Sequence, residues 1–177
     1  MKHYAPINIE NLKKIQEKVF DLFPKDMLDK NLLFYIPNNL ELFLNIPELK
    51  TELDNLGWTP HIHAFGFYII QKTEKTIIHI DTGNRTYSFN IPILNCKNTF
   101  VNFYSSSSKP ILISPTDKVR YFWVNPNHCT LIDTFEMITP HVINVKKEHN
   151  VTNNNPSPRI TLLVRLKDTL SLDYLFE

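Results

Sequence analysis

Ile77-Ile78-His79-Ile80-Asp81-Thr82-Gly83-Asn84 is a β-branched run that closes on turn residues, and the same grammar repeats along most of the chain. Branching at Cβ suits the pleated surface of a strand, while glycine and asparagine accept the backbone angles of a turn. Outward from this stretch, short runs rich in Ile, Val, Thr, Tyr and Phe cover about 61–71, 76–81, 86–94, 99–104, 111–114, 119–124, 129–134, 140–147 and 159–167. Eight or nine strands with no helix between them predict a sandwich, jelly roll or barrel rather than βαβ units. The segment ahead of them has a different period. Ile9, Leu12, Ile15, Val19, Phe20 and Phe23 recur at helical spacing, with Asn8 as a cap and Pro24 beyond the last apolar residue. This predicts a helix over 9–23 packed outside the sheet, and a second over 47–56 stopped by Gly57. The expectation is a single mainly β domain over 1–177, with a helical part at 1–57 and a barrel core at 58–170. Ser105 to Pro110 and His149 to Pro156 read as loops.

Composition removes several classes of function. A net charge of +1 over 177 residues gives no broad field to gather phosphate backbones or anionic lipid, so neither nucleic acid nor membrane is an expected partner. Three glycines leave no room for a phosphate-cradling loop. Two cysteines, Cys96 and Cys129, are too few for a disulfide framework, and no apolar run reaches the roughly 20 residues of a membrane span. The beginning of the chain has no signal-peptide character, so the expectation is a soluble, cytoplasmic protein.

His79 and Asp81 stand at i and i+2, and the two-residue period of a strand puts both on one face. An imidazole and a carboxylate so placed can converge on one ion. A third ligand is needed, and His141 at the head of the apolar run Val142-Ile143-Asn144-Val145 is the candidate. Arg159 opens the next such run, and His141 and Arg159 are equidistant from Asn150. A hairpin closed there would make them cross-strand neighbours. An arginine beside a metal is costly to bury alone, and calls for a carboxylate partner in the protein or in a ligand.

In these residues the sequence resembles the non-haem Fe(II)- and 2-oxoglutarate-dependent oxygenases, over about residues 60–167. The resemblance lies in His79-x-Asp81, a later histidine (His141), and Arg159 with the hydroxyl of Thr161 two residues on. The aspartyl/asparaginyl β-hydroxylase type is the most similar subgroup, through Arg85 to Ile93 and through Leu131 to Glu136 ahead of His141. It implies a double-stranded β-helix (a cupin-like jelly roll), Fe(II) held by His79, Asp81 and His141, and 2-oxoglutarate as cosubstrate, its distal carboxylate on Arg159 and Thr161. Ser88, Asn90 and Arg85 would support the metal or bind carboxylate. Asp81 supplies the carboxylate that some members of that subgroup lack, which implies an ordinary two-histidine, one-carboxylate site. The implied reaction uses O₂ to hydroxylate an amino-acid side chain, free or in a peptide. The alternatives are the same chemistry on another small molecule or a nucleobase, and a jelly-roll binding module whose metal is structural or absent.

Other residues carry less. His61 and His63 form a second i, i+2 pair, but no acid follows to complete a cupin-type site. Trp58, Phe65, Phe67, Tyr68 and Trp123 read as core or pocket walls, both cysteines as inert, and His128 and His149 as surface residues among turns. Arg165 lies on the same face as Arg159 and rivals it for the cosubstrate.

Overall fold

The computed structural model of the chain describes residues 2–29, 32–35, 39–82, 86–116 and 119–176. Its strands are β1 (Tyr4–Pro6), β2 (Leu32–Tyr35), β3 (Ile62–Ile70), β4 (His79–Asp81), β5 (Tyr87–Leu94), β6 (Thr99–Ser106), β7 (Ile111–Thr116), β8 (Val119–Trp123), β9 (Cys129–Glu136), β10 (His141–Asn144), β11 (His149–Asn153) and β12 (Arg159–Leu166). Three helices, α1 (Leu12–Leu22), α2 (Asn39–Asn45) and α3 (Pro47–Asn55), precede most of them. The strands make two antiparallel sheets, ordered β1-β10-β5-β12-β3-β2 and β7-β8-β4-β11-β6-β9. Consecutive strands repeatedly change sheet: β3 and β5 lie in the first, β4 and β6 in the second. That alternation winds the chain around two facing sheets as a double-stranded β-helix.

The first sheet is apolar on one face and mixed on the other. Along β12, Ile160, Leu162, Val164 and Leu166 join Phe65, Phe67 and Ile69 of β3 and Phe89 and Ile91 of β5 in the main core. Helices α1 and α3 close that core from outside through Ile15, Val19, Leu49 and Leu53, as the helical spacing predicts. Each of these aliphatic side chains contributes roughly 1.5–3 kcal/mol by leaving water. Trp58 seats edge-on against Phe89, 5.1 Å between ring centres, and is 2% exposed. Gly57 ends α3 at φ +70°, with Gly57 N–H donating to Asp54 O and Trp58 N–H to Leu53 O. The left-handed backbone there is the position glycine fills without strain. The cap of α1 is Asn11 rather than Asn8, and its backbone and side-chain nitrogens donate to Glu52 of α3.

The opposite face of β12, carrying Arg159, Thr161, Leu163 and Arg165, turns toward the second sheet. Part of the space between the sheets is filled by Val101, Phe103, Phe135, Ile143 and Val151, and the remainder is a cavity of about 480 Å³. No described helix is long and apolar enough to cross a membrane.

Nine expected strands are present, with shifted ends, and β1, β2, β11 and α2 are additions. The most consequential addition is β11. His149 to Asn153, expected as a loop, is a buried strand in the middle of the second sheet, between β4 and β6. His141 and Arg159 are consequently not neighbours, because β5 lies between β10 and β12.

Candidate metal centre and cavity

Three donors meet at the cavity wall: His79 and Asp81 from β4 and His149 from β11. The β4–β11 pairing sets His149 directly opposite His79, and the strand period returns Asp81 to the face of His79. His79 Nε2 and Asp81 Oδ1 are 3.5 Å apart, and all three donor atoms fall within 4.8 Å of one another. The imidazoles lie 4.5 Å apart between ring centres.

Both histidines are oriented by the same device. His79 Nδ1 donates to Ile77 O at 2.9 Å, and His149 Nδ1 donates to Lys147 O at 2.8 Å. A carbonyl oxygen has no proton to give, so Nδ1 carries the hydrogen and the neutral ring keeps the Nε2 lone pair for an ion. Two imidazole nitrogens and one carboxylate oxygen beside a cavity are a donor set able to hold a divalent metal ion.

His141, expected as the third ligand, stands elsewhere. It opens β10 opposite Asn90, its ring packs 4.4 Å from Phe135 and 5.8 Å from Tyr4, and its Nδ1 donates to Thr139 O. Burial holds its imidazole below the ordinary range, with the Thr139 hydrogen bond pulling weakly the other way. His149, expected on the surface, is 4% exposed and takes the place assigned to His141. The segment misleads because it is polar, yet Asn150 and Asn153 are buried and bonded. Asn150 Oδ1 accepts from Asn102 Nδ2 at 2.9 Å and from the Tyr104 hydroxyl, while Asn153 Nδ2 donates to the Ile70, Gln71 and Ser157 carbonyls. The overlooked signal is the alternation His149, Val151, Asn153, which a half-buried strand requires.

The facing wall comes from the first sheet. Arg159 is 1% exposed, lines the cavity, and has neither Nε nor Nη1 hydrogen-bonded; the buried Thr161 hydroxyl on the same strand face likewise lacks a partner. Tyr68, opposite Thr161 on β3, lines the cavity too. Burial pushes its hydroxyl up to about 12, Arg159 and a hydrogen bond with Thr76 lower it, and Asp81 raises it. Ser88 and Asn90 of β5 both reach the cavity, Ser88 Oγ donating to Asn90 Oδ1 at 3.3 Å, and Asn90 Nδ2 is buried without a partner. Arg85 lies outside the described residues. His61 and His63 are absent from the cavity lining.

No family model and no curated protein matches the chain. Solved structures do. AviO1 from Streptomyces viridochromogenes Tue57 superposes over 96% of this chain and 91% of its own, with a TM-score of 0.50 at 14% identity. A protein from Klebsiella pneumoniae described as having a double-stranded beta-helix domain covers 63% of this chain and 72% of its own, at 7% identity and a TM-score of 0.33. A 2OG-Fe(II) oxygenase family oxidoreductase from Burkholderia pseudomallei covers 73% and 54%, at 13% identity and a TM-score of 0.35. At such identities the likeness to AviO1 is one of fold.

Proposed function

We propose that the protein is a non-haem Fe(II)- and 2-oxoglutarate-dependent oxygenase that hydroxylates an amino-acid side chain, free or in a peptide. The observation that carries this reading is one cavity with a His-Asp-His cluster on one wall and the Arg159 guanidinium, buried and short of partners, on the other. A buried cation of that kind is stable only opposite an anion, and its fixed fork matches a carboxylate. Unsatisfied polar atoms at Arg159, Thr161 and Asn90 mark where a polar ligand belongs.

His79, Asp81 and His149 would hold the iron. Bound there with 2-oxoglutarate, it supplies dioxygen activation coupled to loss of CO₂ and delivery of one oxygen atom to a substrate C–H bond. Arg159 and Thr161 anchor the far carboxylate of the cosubstrate and so fix which end reaches the metal. Tyr68, neutral at physiological pH because of its burial, offers a further hydroxyl beside Arg159. The Ile77 and Lys147 carbonyls keep both imidazoles in the ligating tautomer. The apolar walls at Val101, Ile143, Val145 and Val151 exclude water from the reacting centre.

Succinate release from 2-oxoglutarate, measured with Fe(II) and ascorbate, tests the reading. Wild type is expected to turn over slowly without substrate and faster with free proline, aspartate or asparagine, and Asp81→Ala to fall to background. A wild type that neither decarboxylates 2-oxoglutarate nor binds Fe(II) more tightly than Asp81→Ala would falsify it.

A further inference from the structure

Asn90 of β5 lines the cavity, is 2% exposed, and carries an amide whose two ends are treated unequally. Ser88 Oγ donates to its Oδ1 at 3.3 Å, which occupies the carbonyl end. Its Nδ2 is buried with no hydrogen-bond partner among the described residues. Neither register neighbour provides one: Leu163 is apolar, and His141 packs its ring on Phe135 and Tyr4. A buried amide N–H left unbonded is costly, so the position calls for an acceptor brought by a ligand.

Two strands fix the height of Asn90 in the cavity. Asn153 donates to Ile70 O, and Ile70 pairs with Arg159, so the end of β11 and the start of β12 share one level. Four residues back along β11 stands His149; four residues forward along β12 stands Leu163, the register partner of Asn90. Each step is roughly 13 Å of strand. Asn90 therefore lies across the cavity at the height of the His79, Asp81 and His149 cluster, and not at that of Arg159. It is also on the other flank of β12, because Arg159 pairs with β3 and the pairing with β5 begins at Ile160. On the proposed function, on which this inference rests, 2-oxoglutarate runs from Arg159 and Thr161 to the metal. Asn90 stands beside that path, where the carbon to be hydroxylated has to arrive.

We propose that Asn90, oriented by Ser88, is a specificity-determining residue that binds the substrate, and that the substrate presents a carbonyl-type oxygen, of an amide or a carboxyl group, to Asn90 Nδ2. Ser88 decides the sign of the contact: with Oδ1 already accepting, the amide meets the ligand as a donor. An ammonium group has only hydrogens to give, and a hydrocarbon leaves the N–H unpaired, so both are rejected. A site built around a hydrogen bond discriminates strongly against analogues that lack the matching atom. Held by that oxygen, the substrate turns the carbon beside its carbonyl group toward the cluster.

Ligand-observed NMR on protein loaded with redox-silent Zn(II) and 2-oxoglutarate tests this with three aromatic probes. Acetophenone carries the acceptor, cumene is its hydrocarbon isostere, and aniline donates. The affinity of acetophenone relative to cumene is expected to fall at least tenfold from wild type to Asn90→Leu, with aniline changed by less than about twofold. Ser88→Ala, which frees the amide to turn and serves should the Leu variant fold poorly, lowers the same ratio several-fold. Calorimetry should find 2-oxoglutarate affinity within about twofold of wild type in both variants. A ratio that neither variant moves, a wild type that prefers aniline to acetophenone, or absence of acetophenone binding to wild type each overturns the assignment. So does a tenfold loss of 2-oxoglutarate from Asn90→Leu, which would give the amide to the cosubstrate. All of these leave the oxygenase reading intact. Failure of 2-oxoglutarate to bind metal-loaded wild type removes the oxygenase reading, and this assignment with it.

Discussion

His149 and His141 separate two roles that look alike in sequence. Each is a buried histidine whose Nδ1 donates to the carbonyl two residues earlier, but only His149 faces His79 and Asp81. His149→Ala is expected to weaken Fe(II) or Zn(II) binding at least about 100-fold by calorimetry, since a lost ligand exceeds the 10–100-fold typical of outer-shell changes. His141→Ala should leave metal affinity unchanged and reduce stability by about 1–3 kcal/mol, because it empties a site packed against Phe135 and Tyr4. The reverse pattern would restore the role first assigned to His141. Arg159 gives a test of another kind. Arg159→Met keeps the length of the side chain and removes a buried charge with two unbonded nitrogens. The ligand-free variant should melt higher, by about 1–4 kcal/mol in stability, and bind 2-oxoglutarate at least tenfold more weakly.

At the scale of elements, β11 decides whether a site exists. It brings His149 to β4, and what holds it is polar. Asn150 and Asn153 are both 0% exposed, and the Asn153 amide donates to the carbonyls of Ile70, Gln71 and Ser157. Asn153→Ala leaves those carbonyls buried without their donor and should lower the urea midpoint by the equivalent of about 2–3 kcal/mol. Asn153→Leu should be no better, since added apolar volume supplies no hydrogen bond. The β12 strand shows the complementary economy: its even positions build the core, and Arg159, Leu163 and Arg165 among its odd positions line the cavity. That alternation explains how one strand reads as apolar and still carries two arginines.

For the molecule as a whole, a metal held by His79, Asp81 and His149 would tie the two central strands of the second sheet together, and its binding would be linked to folding. A ligand that binds the native state alone stabilises it by about 2.7 kcal/mol at a concentration 100 times its Kd. Differential scanning calorimetry should show one transition that rises as Zn(II) is added, and Asp81→Ala should lose that rise. An unshifted transition in wild type would mean that the cluster holds no ion under those conditions.

Local pattern was sufficient for several features. The alternation of Ile160, Leu162, Val164 against Arg159, Thr161, Arg165, the helical spacing of Ile15 and Val19, and the stop at Gly57 are all set by neighbours a few residues away. The pair His79 and Asp81 belongs to the same group, because a strand alone puts i and i+2 on one face. The third member of the cluster does not. Choosing between His141 and His149 depends on which sheet each strand joins, through pairings between segments roughly fifty to seventy residues apart. The Asn-rich run settled that choice only once the buried amides of Asn150 and Asn153 had found partners. Polarity in sequence predicts exposure because unpaired polar groups are costly to bury, and the tertiary structure removed that cost by pairing them.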